Sequence, residues 1–184
     1  MIKILPYQER WPEEFQIIAR QIKSACGDQV LAVHHIGSTS VPGLAAKDII
    51  DVQITVENLA VPISASLTRI GFESTEITMD HCPPGMALAP DELEKRYYRF
   101  KDRRVQLHVR KRGTFNQRYP ILFRDFLRAN PVARDAYGVI KMQLARYFPE
   151  NVDAYYDIKD PVCDIIIAAA AEWANANHWE LGPN

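Results

Sequence analysis

His34-His35-Ile36-Gly37-Ser38-Thr39-Ser40-Val41-Pro42-Gly43-Leu44-Ala45-Ala46-Lys47-Asp48-Ile49-Ile50-Asp51-Val52-Gln53 is the stretch whose reading decides the fold. It reads as a strand, a tight polar loop and a second strand. Ile50, Val52, Ile54 and Val56 alternate with Asp51, Gln53 and Thr55, so the second strand has one apolar face and one polar face. A glycine placed ahead of hydroxyl residues allows a sharp bend and close approach of a phosphate. Gly37, Ser38, Thr39 and Ser40 are therefore candidate phosphate-binding residues. Asp51 follows as a carboxylate able to hold a divalent cation, Mg²⁺ or Mn²⁺, that bridges phosphate oxygens. A plainer account is compatible with this one: Ser40 caps a turn near Pro42, and Asp51 faces solvent on a half-exposed sheet.

Outward from this stretch the pattern alternates between helix and strand. Pro12 to about Cys26 predicts a helix, with Trp11, Phe15, Ile18 and Ile22 toward the core and Gly27-Asp28 as its stop. Strands are predicted over Val30–Ile36, Asp48–Val56 and Phe72–Thr78, with a helix over Pro62–Ile70. Met79–Gly85 holds two prolines and a glycine and is read as an irregular, mobile flap. Lys95–Lys101 and Arg104–Lys111 form a hairpin about Asp102-Arg103, with Val105, Leu107 and Val109 on one face and Gln106, His108 and Arg110 on the other. Helices are expected over Tyr119–Asn130, Val132–Phe148 and, with Asp160 as cap and Pro161 first in the helix, from Asp160 to about His178. This order specifies an α+β fold: a small mixed sheet packed by helices, with a helical C-terminal third. The reading is one domain over residues 1–184, with a sheet core over 1–115 and a helical part over 116–184.

Composition narrows the function. The chain has 184 residues, 22 Lys plus Arg and 23 Asp plus Glu, so no polybasic signal favours nucleic acid. Cys26, Cys82 and Cys163 are odd in number and widely spaced, as for reduced thiols in the cytoplasm. The N-terminal residues lack the apolar segment of a signal peptide. The most apolar run, Ile165–Ala171, is far shorter than the roughly 20 residues that cross a bilayer, so no membrane role is expected.

Further residues complete the candidate site. His108 shares a face with Gln106 and Arg110 and is a candidate ligand or general base, with a structural hydrogen bond as the alternative. Lys47, Arg99, Arg110 and Lys141 are candidate grips on a polyphosphate, each alternatively a surface charge. His35 is read as a brace for the loop, Arg124 and Arg128 with Asp125 as a surface network, and Tyr97-Tyr98 as one ring on each hairpin face.

Gly37-Ser38 followed by a strand bearing Asp51 resembles the nucleotidyltransferase superfamily that includes DNA polymerase β. Within it, His35–Lys47 followed by Ile50-Asp51 closely resembles the GrpB family. Leu107-His108-Val109-Arg110, Phe123–Arg128 with Pro131, Tyr137 with Lys141, and Tyr156 with Lys159 extend the likeness over nearly the whole chain. The resemblance implies the nucleotidyltransferase fold, a serine loop on phosphate, and a carboxylate pair one residue apart on Mg²⁺. One member of that pair is missing, because position 53 is Gln53, an amide that ligates weakly and brings no charge. The third carboxylate position corresponds to Gln106 or His108. The metal set is thus Asp51, Gln53 and His108, with Asp51 and His108 as the catalytic candidates. The function so implied is binding of a nucleoside triphosphate and transfer of a nucleotidyl group to a small-molecule or protein acceptor. The alternative is a non-catalytic module for a nucleotide or other phosphorylated metabolite that has lost the metal carboxylate pair.

Overall fold

The computed structural model describes residues 1–182. Helix α1 (Arg10–Cys26) precedes strands β1 (Ala32–Ile36) and β2 (Ile50–Val56). Helix α2 (Ser64–Arg69), a short strand β3 (Phe72–Ser74) and the hairpin β4 (Lys95–Phe100) and β5 (Val105–Lys111) follow, then helices α3 (Phe115–Ala129), α4 (Pro131–Tyr147) and α5 (Val152–Ala176). The strands form one mixed sheet in the order β1-β2-β5-β4-β3, antiparallel except for the central β2–β5 pair. The α+β architecture with a helical C-terminal region is the one the sequence pattern specifies.

Each face of the sheet meets a different helical layer. Ile50, Val52, Ile54 and Val56 of β2, with Val105, Leu107 and Val109 of β5, form a core against Trp11, Phe15, Ala19 and Ile22 of α1 and Leu67 of α2. A second core lies within the helical part, where Leu122, Phe126 and Leu127 of α3 meet Tyr137 of α4 and Cys163, Ala170 and Ala174 of α5. The loop between β1 and β2 feeds both, with Val41 and Leu44 in the helical core and Ala46 in the sheet core. Between the two cores lies the polar sheet face, and helix α3 covers much of it. Gln53 and Thr55, expected on an open polar face, are therefore buried.

Burial of polar groups demands partners, and most of this face has them. Arg110 donates to Asp80 through Nε and Nη2, at 2.9 and 3.0 Å, and to the Gln53 Oε1 at 2.6 Å. Lys95 reaches Asp80 at 2.5 Å, and the Asn116 amide donates to it at 3.1 Å. Burial raises the Asp80 pKa, but the Arg110 guanidinium and the Lys95 ammonium override this and hold the carboxyl well below its usual range. The segment Met79–Gly85 is irregular, as its prolines require, yet it is not a free flap at its start. Asp80 pins it through these bonds and through its own N–H to the Leu93 carbonyl.

Two helix boundaries differ from the sequence reading. Helix α5 starts more than two turns before Asp160, where the Asn151 side chain accepts from the Ala154 N–H at 3.0 Å, and it runs through Pro161 without a break. Asp-Pro imitates a helix start, but Tyr155 and Cys163 are both buried on one stripe, and that packing outweighs the single backbone bond the proline removes. Helix α3 likewise begins before Tyr119 and carries Pro120 inside it.

Removing Asp80 leaves Arg110 and Lys95 buried without a counter-charge. Asp80→Ala is expected to destabilise the protein by about 3 kcal/mol, lowering Tm by roughly 6–12 °C in a thermal melt. A change under 2 °C would show that the network is not needed for the fold.

Candidate functional site

Gly37 turns the chain out of β1 with φ of 69°, a left-handed conformation that glycine tolerates and other residues resist. It also passes directly over Asp51: a Cβ at position 37 would lie 2.9 Å from the Asp51 Cγ and closer still to Oδ2. Ser38–Ser40 then forms one turn of 3₁₀ helix. The outcome is a bend whose serine and whose neighbouring acid share a cavity of about 290 Å³ between the sheet and helices α3, α4 and α5.

The rest of the loop is held from behind. The Thr39 hydroxyl donates to the Ile49 carbonyl at 3.0 Å, so it accepts from the Nε2 of His35, also at 3.0 Å. The His35 ring stacks on Phe15 at 4.7 Å, and its burial drives the imidazole pKa down to about 3, so His35 braces the loop as a neutral donor. Ser40 turns back to the Gly37 carbonyl at 2.6 Å and does not line the cavity. Arg124 donates to the His35 carbonyl at 3.0 Å, and Arg128 donates through Nε and Nη2 to the Ser40 carbonyl. These arginines, read from the sequence as a surface network, clamp the loop backbone instead.

Three lysines from three elements line the cavity. Lys141 of α4, read from the sequence as a polyphosphate grip or a surface charge, is buried and donates to the Ser38 Oγ at 2.8 Å and the Ala45 carbonyl at 2.6 Å. Burial, reinforced by the nearby Lys159 ammonium, draws its pKa down to about 7. Lys47 comes from the loop itself, sits 4.4 and 4.3 Å from the ring centroids of Tyr155 and Tyr156, and donates to the Tyr156 hydroxyl. Lys159 comes from α5, one turn from Tyr155 and one from Cys163; its ammonium lines the cavity while pairing at 2.6 Å with the half-exposed Asp160. Lys159 enters the sequence reading only within the family likeness, with no role in the site. The i, i+4 spacing of Tyr155, Lys159 and Cys163 was the available signal.

Asp51 faces these lysines with no hydrogen bond and no ion pair of its own among the described residues. Desolvation pushes its carboxyl up to about 7, tempered by the positive charges of Lys159, Lys47, Arg110 and Lys141. A carboxylate without a partner among the described residues, beside lysines in a cavity that Gly37 must be a glycine to permit, is a candidate ligand position.

The other sequence candidates lie apart from this group or are already engaged. The Gln53 oxygen accepts from Arg110 and its amide nitrogen donates to the Gln117 carbonyl at 2.9 Å, so it does not reach the cavity. Arg110 is committed to Asp80 and is no free phosphate grip. Arg99 is exposed and lies outside this cavity. His108 does line it, with Tyr97 packed at 4.9 Å. Its Nδ1 accepts from Arg110 at 3.2 Å, which places the ring hydrogen on Nε2. Burial, then the Arg110 and Lys95 charges, hold its pKa well below the usual histidine value. In this tautomer His108 offers an N–H suited to an oxyanion, whereas a metal would need its bare nitrogen.

The mixed sheet, its Gly-Ser bend and the helices around it have a counterpart in fold among the solved nucleotidyltransferases. Terminal uridylyl transferase 4 of Trypanosoma brucei, solved with bound dUTP, shares the fold over 97% of this chain and 57% of its own, at 13% identity and a TM-score of 0.50. The chain belongs to the GrpB protein family, which matches residues 1–169. The crystal structure of the conserved protein GrpB from Enterococcus faecalis is 31% identical, with a TM-score of 0.78 over 97% of this chain and all of that one. A dephospho-CoA kinase of Mycolicibacterium paratuberculosis is 32% identical over 97% of this chain. This chain spans about half the length of that curated relative, 48%. No helix among the described residues is long and apolar enough to cross a membrane.

The raised pKa of Asp51 has a consequence for stability. Between its unfolded value of about 3.9 and the folded value of about 7, the unfolded chain is ionised while the folded one holds its proton. The folded state therefore loses stability as pH rises through that window, and the loss is complete above pH 7. Asn at this position escapes the loss. Asp51→Asn is expected to raise Tm by about 3–6 °C at pH 8 and by much less at pH 4.5 in a phosphate-free calorimetric scan. A lower Tm at pH 8 would show that the carboxylate serves the fold.

Proposed function

We propose that this protein is a binding module for a nucleotide or another phosphorylated metabolite. The phosphates sit on the Ser38 hydroxyl, the backbone N–H groups of the bend and the ammonium groups of Lys47, Lys141 and Lys159. Asp51 accepts from a hydroxyl or amino group of the same ligand. The observation that carries this reading is the convergence of three lysines and a serine on one small cavity that holds a single acid. Thr39 supports the bend from behind, and the His108 Nε2–H adds a donor to the wall.

A divalent cation, Mg²⁺ or Mn²⁺, would rest on Asp51 alone. Gln53 is spent on Arg110 and Gln117, and His108 presents an N–H. Among the described residues no three His, Cys, Asp or Glu side chains gather where they could hold a metal. This donor set does not fit the two-ion site of phosphoryl transfer, which uses two or three carboxylates to offset the charge of the ions. Three ammonium groups already meet the phosphates instead.

A second reading keeps the chemistry: transfer of a nucleotidyl group from a triphosphate to a small-molecule or protein acceptor. It is favoured by one observation, the unpaired carboxylate of Asp51 beneath the serine bend. Pyrophosphate release separates the two. The panel includes ATP and, because a relative is named a dephospho-CoA kinase, dephospho-CoA. We expect calorimetric binding of at least one of these without pyrophosphate release in Mg²⁺ or Mn²⁺ and candidate acceptors, and a loss of at least tenfold in affinity in Lys141→Met. Acceptor-dependent pyrophosphate release that disappears in Asp51→Asn would establish transfer instead.

The site also predicts its own pH dependence. Below pH 7 Lys141 is charged and Asp51 is neutral; above it Lys141 is neutral and Asp51 is charged. Both changes weaken anion binding as pH rises. Sulfate, whose charge is fixed over this range, is expected to stabilise the protein more at pH 6 than at pH 8 in a thermal shift series. Equal shifts at both values would remove Lys141 and Asp51 from the anion site.

A further inference from the structure

The cavity around Ser38 does not end at Lys47. Beyond it opens a groove of about 550 Å³ between the N-terminal residues and the β4–β5 turn, and Lys47, Ile49 and Gln106 line both spaces. Lys3, Arg99, Lys101 and Arg104 line the groove with Lys47, and none of the five has an acidic partner within 4 Å among the described residues. Arg103, also in the wall, is different: it is bound to Glu14 and Asp48, each at 2.8 Å. Asp102 is the one acid among the lining residues described. So many like charges crowded without counter-charge repel one another and oppose folding, unless an anionic ligand offsets them.

Sheet register fixes where this groove lies. Asp51 pairs across the sheet with Gln106, and Gln106 pairs with Arg99. Directly opposed residues point to the same face, so these three form one row running from the cavity into the groove. Two strand spacings of about 4.8 Å put the Arg99 backbone about 10 Å from that of Asp51.

We infer that the groove is a second anion subsite, and that the ligand of this protein carries two separate phosphate groups, one at Ser38 and one at Arg99 and Arg104. The inference rests on the reading of the Ser38 cavity given above and names its ligand class: a small metabolite phosphorylated at two positions, with Lys47 between them. The groove favours a small molecule over a nucleic-acid strand. Strand binders present aromatic faces to successive bases. Phe100 is the one aromatic residue among the groove lining, and it is packed edge-on against Phe72 at 5.0 Å. The volume is that of a small-molecule site.

The test uses three probes, pyrophosphate, ADP and 3′-phosphoadenosine 5′-diphosphate, titrated calorimetrically into the wild-type chain and into Arg99→Ser/Arg104→Ser. Both substituted side chains are exposed, and a ligand-free melting temperature no lower than that of the wild type checks that the fold is kept. The added 3′-phosphate is expected to tighten wild-type binding about tenfold over ADP. In the double variant that gain disappears, while pyrophosphate affinity stays within twofold. Equal wild-type affinities for ADP and its 3′-phosphorylated form, or a gain that survives in the double variant, would overturn the second subsite and leave the Ser38 cavity standing. Failure of pyrophosphate and ADP alike to bind would remove the Ser38 cavity itself and this extension with it. Tighter binding of octathymidylate than of the bisphosphorylated nucleotide would overturn the ligand class in favour of a strand.

Discussion

A buried ammonium group joins the two halves of this molecule. Lys141 extends from α4 into the loop between β1 and β2 and donates at once to a side-chain oxygen, at Ser38, and to a backbone oxygen, at Ala45. Arg124 and Arg128 do the same from α3 to the carbonyls of His35 and Ser40. A tight loop leaves several carbonyls without backbone partners, and buried carbonyls need donors. Here the donors are cations supplied by the helical layer. The interaction that fixes the bend therefore also makes its surroundings positive.

The polar sheet face shows the same economy by contrast. Asp80 and Asp51 both lie against it, and both stand near basic groups. Asp80 is saturated by Arg110, Lys95 and Asn116, and its carboxyl stays ionised over any ordinary pH. Asp51 has no partner among the described residues, and burial raises its carboxyl pKa to about 7. The first arrangement locks β5, β4 and the segment before Cys82 together. The second leaves a carboxyl that takes up a proton near pH 7 in place of a partner. Two acids of one type on one sheet thus take opposite parts because one is enclosed by donors and the other borders a cavity.

Position 53 of this GrpB-family chain is an amide on the polar face of β2. Gln53 keeps the shape of an acid but turns inward to tie β2 to α3 and Arg110. A carboxylate there would face the same guanidinium and the same backbone carbonyl, and the carbonyl would repel it. The amide fits because it both accepts and donates. Gln53 is thus a structural tie between β2, α3 and Arg110.

The sequence by itself determined the local elements and the bend. Alternation in β2 and β5 fixed which side chains share a face, because the period of a strand is two whatever surrounds it. Gly37 before Ser38 fixed a turn that only glycine makes easily. The likeness of His35–Lys47 and Ile50-Asp51 to the GrpB family carried the fold. What the tertiary structure alone decided is which polar groups are spent and which are free. Arg110 and Gln53 looked like ligands and are partners of Asp80 and Gln117; Lys159 looked like the residue before a helix and lines the cavity. Arg124 and Arg128 looked like surface charges and hold the loop. The reason is physical: periodicity is a property of a few neighbouring residues, whereas pairing and desolvation depend on groups brought within about 3 Å from distant parts of the chain, and no local pattern encodes that distance.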